Sequence, residues 1–138
     1  MIWKENVECA ELSDLKKIQS ERLKKLVSYI YENSPVYKEK FQQKNVTPED
    51  INTIDDIRKL PFTNKMDMRD HYPYGLFSSP IDDVLEIHVS SGTTGNPTLV
   101  GYTRDDLALW SDVMARTLCC AGAEPGDTLK VEIKKLER

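Results

Sequence analysis

No apolar run in the chain approaches the ~18–20 residues that a membrane-spanning helix needs. The opening stretch, Met1-Ile2-Trp3-Lys4-Glu5-Asn6, has neither the basic segment nor the apolar segment of a secretory leader. Cysteine is scarce. There are three, Cys9, Cys119 and Cys120, an odd number with one adjacent pair and no C-x-x-C spacing. That pattern argues against a disulfide framework and a zinc site, and it points to the reducing cytoplasm. Charge of one sign is also missing: 19 basic residues stand against 23 acidic ones, for a net charge of −4. The bases are dispersed apart from pairs such as Lys16-Lys17 and Lys24-Lys25, which read as solvated helix faces. Without a concentrated basic stripe nucleic acid is not an expected partner, and without a spanning apolar run neither is a membrane. No internal repeat or low-complexity tract is present.

What is there amounts to one domain, or a piece of a larger one, in 138 residues. Hydrophobic residues make up 39% and charged residues 30%, with a mean hydropathy of −0.53. That predicts a modest core and a surface that expects a neighbour over part of it.

The first element expected is a helix capped by Ser13, with Asp14 favourably placed at its N-terminal dipole. Leu15, Ile18, Leu23, Leu26, Val27 and Ile30 follow at helical spacing, and Asn33-Ser34-Pro35 ends it. Tyr37 and Phe41 share a face of a short second helix. Further helical turns start at Thr47-Pro48, at Thr53 and at Thr63, the last running to about His71. After the aromatic loop Tyr72-Pro73-Tyr74-Gly75-Leu76-Phe77 the texture changes. Val84–Val89 reads as a strand with Leu85, Ile87 and Val89 on one face, and Thr98–Tyr102 reads as a second. Thr103 caps a long helix with an apolar stripe of Leu107, Trp110, Met114 and Leu118, ending at Gly122. Leu129, Val131 and Ile133 alternate with charged residues as a third strand would. The expected class is α/β, with a helical region over 1–80 and a β-loop-β-α-β segment over 81–138.

The segment that carries chemistry is Ser90-Ser91-Gly92-Thr93-Thr94-Gly95-Asn96-Pro97-Thr98. Its glycines let backbone N–H groups converge on an anion, and its hydroxyls add donors that can follow phosphate oxygens. It is not a Walker A loop: the glycines are three apart, no lysine follows, and the next element reads as a strand. By composition the segment reads equally as a solvated hairpin loop or as a phosphate cradle.

Residues 90–98 resemble the phosphate-binding loop of the adenylate-forming superfamily of acyl- and aryl-CoA synthetases, peptide-synthetase adenylation domains and luciferases. A wider chain of matches resembles the phenylacetate–CoA ligases in order and spacing: Ile2-Trp3, Glu21-Arg22-Leu23, Tyr31-Glu32-Asn33-Ser34-Pro35, Leu60-Pro61-Phe62-Thr63, Tyr72 to Phe77, Ile87-His88 and Gly101-Tyr102-Thr103. The resemblance runs from about Ile2 to Leu129. It implies a fragment of the large N-terminal domain of such enzymes. It also implies a reaction in which an aryl carboxylate attacks the α-phosphate of ATP in the presence of Mg²⁺, and coenzyme A then displaces AMP. The residues it assigns to the ATP phosphates are Ser90, Ser91, Gly92, Thr93, Thr94 and Gly95.

Two departures bear on activity. The family loop commonly reads Gly-Lys-Pro where this chain has Gly95-Asn96-Pro97, which removes a positive charge. After Leu129 the resemblance stops, so the family's later contacts to AMP, metal and ribose and its catalytic lysine are not expected within these residues. The expectation is an enzyme portion inactive by itself. The alternative is a non-enzymatic interaction or dimerisation module of the same descent, for which an unpaired sheet edge would favour a homodimer.

Other residues have plainer readings. His88 stands just before the loop, and with no Ser or Asp to complete a triad it reads as structural. His71 reads as exposed at a helix end. Tyr72, Tyr74 and Phe77 read as packing, the alternative being an aryl-acid pocket. Cys119 and Cys120 read as helix packing. Asp82, Asp83, Asp105 and Asp106 read as loop and cap residues rather than metal ligands, and no metal site is expected.

Overall fold

The computed structural model describes residues 1–90 and 97–128. Five α-helices and one two-stranded antiparallel sheet occur among them. A single turn, α1 (Glu5–Glu8), precedes the long α2 (Leu12–Asn33). Glu11, not Ser13, is the residue before α2; it is extended and makes no side-chain cap. The helix therefore starts two residues earlier than a capping serine would place it, with Asp14 in its first turn as expected.

Ser34 then serves two helices. Its N–H closes α2 on the Ile30 carbonyl, and its buried hydroxyl accepts from the Tyr37 N–H at the start of α3 (Pro35–Gln43). Pro35 sits at the first turn of α3, where its missing N–H costs nothing. Two 3₁₀ turns follow at Pro48–Asp50 and Ile54–Lys59. Each is closed by a Thr–Asp capping box, Thr47 with Asp50 and Thr53 with Asp56.

The core lies here. Val27 and Phe41 are 1% exposed, Leu23 and Ile51 are buried with them, and Ile30, Tyr31, Val46, Ile54 and Leu60 pack around them. Burying each such side chain contributes about 1.5–3 kcal/mol. Leu26, counted by its spacing with the buried stripe, turns out of this core and lines a cleft. Ser20 joins the layers, its hydroxyl accepting from the Ile54 N–H at 2.9 Å.

Helix α4 (Lys65–Asp70) is capped by Asn64 rather than Thr63. The Asn64 side-chain oxygen accepts from the N–H groups of Met66 and Asp67, and Asp67 accepts from the Asn64 N–H at 2.8 Å. Thr63 donates instead to the Tyr37 hydroxyl. Lys40 reaches across from α3 to Asp67 at 2.7 Å. Its hydrogen bond, followed by that of the Asn64 N–H, holds the Asp67 carboxyl below the usual range.

A 3₁₀ turn at Ile81–Asp83 leads into β1 (Val84–Val89), which pairs antiparallel with β2 (Leu99–Thr103). The second strand thus begins one residue later than Thr98. A bulge between Val84 and Glu86 is the one irregularity in the ladder, which then runs Glu86 to Tyr102, Ile87 to Gly101, His88 to Val100 and Val89 to Leu99. Helix α5 (Arg104–Cys120) follows directly from β2, capped as expected by Thr103 and Asp106 in a reciprocal box. Gly122 adopts φ +95° just past its end, the left-handed geometry a helix stop favours.

No residue of α5 is buried: Trp110 and Met114 of the expected stripe are exposed, Cys119 is half-buried, and Cys120, expected to pack, is exposed. Among the described residues α5 meets a thin hairpin and the N-terminal Trp3 and Lys4, which cover only part of its surface. The third strand expected after Leu129 lies outside the described residues. No described helix is long and apolar enough to cross a membrane.

Candidate functional site

The Ser/Thr/Gly segment lies in the sequence between β1 and β2. Side chains alternate along β1, so Leu85, Ile87 and Val89 take one face while Glu86 and His88 take the other. Beyond the last strand pair the ladder continues by one step, the Ser90 N–H donating to the Thr98 carbonyl at 3.0 Å. The same two residues are linked through their side chains. Ser90 Oγ lies 2.7 Å from Thr98 Oγ1 and accepts from the Thr98 N–H at 3.2 Å. Ser90 and Thr98 therefore form the stem of the loop. Ser91, Gly92, Thr93, Thr94 and Gly95, assigned with Ser90 to the ATP phosphates, lie outside the described residues, as does Asn96.

Next to the stem stands an aromatic trio. The His88 ring meets Tyr102 at 4.8 Å and Trp110 at 5.5 Å, both edge-on, and Tyr102 stacks on Trp110 at 5.1 Å. His88 Nε2 lies 3.2 Å from Glu86 Oε2. This packing joins β1, β2 and α5 on one side of the sheet, which agrees with reading His88 as structural.

On the other side Phe77 lies against Gly101. A Cβ at Gly101 would fall 2.6 Å and 2.8 Å from two Phe77 ring carbons and 3.1 Å from a Val84 methyl. Only glycine permits that approach. Tyr74 leans on Phe77 at 5.4 Å. Two of the three aromatics of the 72–77 loop are thus engaged in packing, as expected. Phe77, with Leu26, Tyr29, Leu76, Leu85 and Leu99, also lines a cleft of about 940 Å³ between the helical half and the hairpin.

Two anchors that hold this unit left no periodic signal in the sequence. Tyr29 on α2 donates its hydroxyl to the Ser78 carbonyl at 3.0 Å and lies 2.8 Å from Ser79 Oγ, tying the long helix to the segment that leads into β1. Asp112 on α5 gathers the N-terminus, Lys4 at 2.7 Å and the Trp3 indole N–H at 2.9 Å, and pairs with Arg116 one turn along its own helix at 2.7 Å. The Lys4 hydrogen bond first, and the Trp3 indole next, lower the Asp112 carboxyl to about 2. The available clues were a tryptophan at the chain's start and an acid amid an apolar helix, and neither names its partner.

Asp106 serves in the α5 cap, and Asp82, Asp83 and Asp105 sit in first turns, as read from the sequence. Among the described residues no three His, Cys, Asp or Glu side chains gather where they could hold a metal ion.

No family model matches the chain. It is 45% identical over 126 residues to the phenylacetate–coenzyme A ligase of Thermus thermophilus, covering 91% of this chain and 28% of that protein. It is 44% identical over 125 residues to the phenylacetate–coenzyme A ligase of Escherichia coli, covering 91% of this chain and 29% of that one. Among solved structures, an open conformation of 2-hydroxyisobutyryl-CoA ligase in complex with 2-HIB-AMP and CoA superposes with a TM-score of 0.82 at 26% identity, covering 91% of this chain and 30% of that one. The fold is that of part of an acid–CoA ligase, and its hairpin and helices correspond to a portion of the ligase's N-terminal domain. By sequence the chain is similar to the phenylacetate–coenzyme A ligases and by fold to part of an acid–CoA ligase, and it spans little more than a quarter of the length of the curated relatives it matches.

Proposed function

We propose that this chain is the N-terminal, phosphate-gripping portion of an ATP-dependent aryl-acid–CoA ligase, and that it does not complete the reaction by itself. The observation that carries the reading is 45% identity to a phenylacetate–coenzyme A ligase across 91% of the chain, with the Ser/Thr/Gly segment joining the paired strands β1 and β2 in sequence. In the proposed reaction phenylacetate, ATP and coenzyme A give phenylacetyl-CoA, AMP and diphosphate. ATP, Mg²⁺ and coenzyme A are the groups it would engage, in the cytoplasm.

The donor set suits a phosphate. Ser90 to Gly95 supply hydroxyls and glycine backbone N–H groups with no acid among them, so a polyanion meets donors and no like charge. The Ser90–Thr98 stem fixes where the loop leaves and re-enters the sheet, which lowers the entropy lost when its donors settle on a ligand. The chain's own share is then to hold the β- and γ-phosphates and to stabilise charge on the departing diphosphate. Mg²⁺ would accompany the nucleotide phosphates.

Calorimetric titration of ATP and of diphosphate, with and without Mg²⁺, tests the grip directly. Asn96→Lys should tighten either ligand by about 0.5–1 kcal/mol, and the gain should shrink with added salt. No heat from wild type or variant would end the phosphate reading. ATP–diphosphate exchange dependent on phenylacetate, in a preparation free of whole ligase, would refute the claim of inactivity.

A second reading, a non-enzymatic interaction module, is favoured by the exposed apolar face of β1 and by the absence of buried residues in α5. Nucleotide binding separates the two.

A further inference from the structure

The cleft between the helical half and the hairpin has two kinds of lining. Its floor is apolar and aromatic: Leu26, Met68, Leu76 and Phe77, with the rings of Tyr29 and Tyr37. Tyr29 gives its hydroxyl to Ser78 and Ser79, and the Tyr37 hydroxyl accepts from Thr63, so both rings are held by their far ends. Tyr37, Met68, Leu76 and Phe77 are half-buried and Leu26 is 55% exposed, so the floor is open to solvent. At about 940 Å³ the cleft has the size of a small-molecule site.

The rim is anionic. Asp82 and Asp83 come from the 3₁₀ turn before β1, Asp105 and Asp106 from the first turn of α5, and all four are exposed. Among the described residues that line the cleft Arg104 is the one base, which leaves negative charge well in excess. Asp106 is engaged in the α5 cap. The carboxylates of Asp82, Asp83 and Asp105 make no hydrogen bond or ion pair among the described residues. Two separate elements thus turn their acids toward one apolar floor, where low-dielectric walls focus the field on whatever enters.

This lining tells two ligand classes apart. An aryl carboxylate would bring a charge of the same sign as the rim. An aryl ring on a short chain ending in an ammonium matches both parts. Its ring can pack against Phe77 and the tyrosines, and its ammonium can meet the carboxylates. We infer that the cleft is a binding site for a primary aryl-alkyl ammonium, and that an aryl acid does not sit there. The inference is independent of whether the Ser/Thr/Gly segment holds phosphate.

Four probes test it on the full chain, by calorimetry and by amide chemical shifts: 2-phenylethylammonium, 2-phenylethanol, phenylacetate and butylammonium. The phenylethylammonium ion should bind at least about tenfold more tightly than phenylacetate. It should bind about fivefold more tightly than the uncharged alcohol or the ringless butylammonium, and added salt should shrink its lead over the alcohol. The shifted amides should be those of Leu76, Phe77, Val84 and Leu99 to Gly101, with α1 unmoved. The Asp82→Asn/Asp83→Asn/Asp105→Asn variant changes only exposed side chains, and should bring the ammonium down to the alcohol's affinity with circular dichroism unchanged. Leu26→Lys, at an exposed position of α2, places a like charge in the cleft and should abolish binding of the ammonium. Phenylethylammonium that does not bind overturns the inference, as does phenylacetate or butylammonium that binds as tightly. Undiminished binding by either variant, or shifts away from the cleft, overturns it too.

Discussion

The helical half and the hairpin half of this molecule treat their apolar side chains differently. In the helical half Leu23 and Val27 from α2 meet Phe41 from α3 and Ile51 from the turn beyond, and all four are buried. In the hairpin half a strand and a helix with equally regular apolar patterns bury nothing fully. The difference is one of partners. Two helices and two 3₁₀ turns surround a small volume from several sides, whereas one helix against two strands covers a single line of contact. An amphipathic pattern thus states which face expects a partner, without stating that the partner is in the same stretch of chain.

The comparison breaks most sharply at Phe41. Its ring is 1% exposed and meets Tyr31 edge-on at 5.7 Å. Phe41→Ala should cost about 3–5 kcal/mol. For so small a core, urea titration followed by circular dichroism should show the helical half lost or nearly so. Survival of the helical signal with an unchanged midpoint would mean that the core lies elsewhere.

Thr103→Ala should act on the other half. It removes a hydroxyl that accepts from the Asp106 N–H and donates to the Asp106 carboxylate at 2.8 Å, and caps of this kind are worth about 1 kcal/mol. Amide exchange should quicken in the first turns of α5 while α2 keeps its protection. A uniform change across the chain would show that the halves unfold together.

The seam between the chain's start and α5 should carry a pH dependence. Asp112 has a folded carboxyl at about 2, below the ~3.9 of an unperturbed aspartate. Its contribution is therefore fully present above about pH 4 and is lost as pH falls toward 2. In a Trp110→Phe background, Trp3 fluorescence should report release of the N-terminal arm across that window. Asp112→Asn should remove the transition without moving the melting of the helical core. A transition centred near neutral pH would refute the assignment.

The smallest expected effect is on the exposed face. Leu85→Asp should change the stability of the isolated chain by no more than about 1 kcal/mol, because about half of the residue is already exposed. A loss comparable to that of Phe41→Ala would mean the face is covered in solution by another copy.

Local chemistry made much of this legible in advance. Thr103 with Asp106, Thr53 with Asp56 and Pro35 after Ser34 mark helix starts and stops through bonds spanning three residues or a ring that fixes one dihedral. β1 was bounded as it stands because alternation over Val84–Val89 needs no distant partner to define it. The loop's likeness to a ligase phosphate segment was likewise written in nine consecutive residues.

Other features only the tertiary structure decided. Asn64 rather than Thr63 caps α4 because the Thr63 hydroxyl is drawn to Tyr37, a residue twenty-six positions away. Leu26 shares the helical spacing of the core yet faces a cleft, because the hairpin segment is tied to α2 through Tyr29 and Ser78. Trp3, Lys4 and Asp112 meet across more than a hundred residues. Spacing fixes which side chains share a face, because backbone geometry repeats every few residues. What that face meets depends on how distant segments pack, and no local period encodes it.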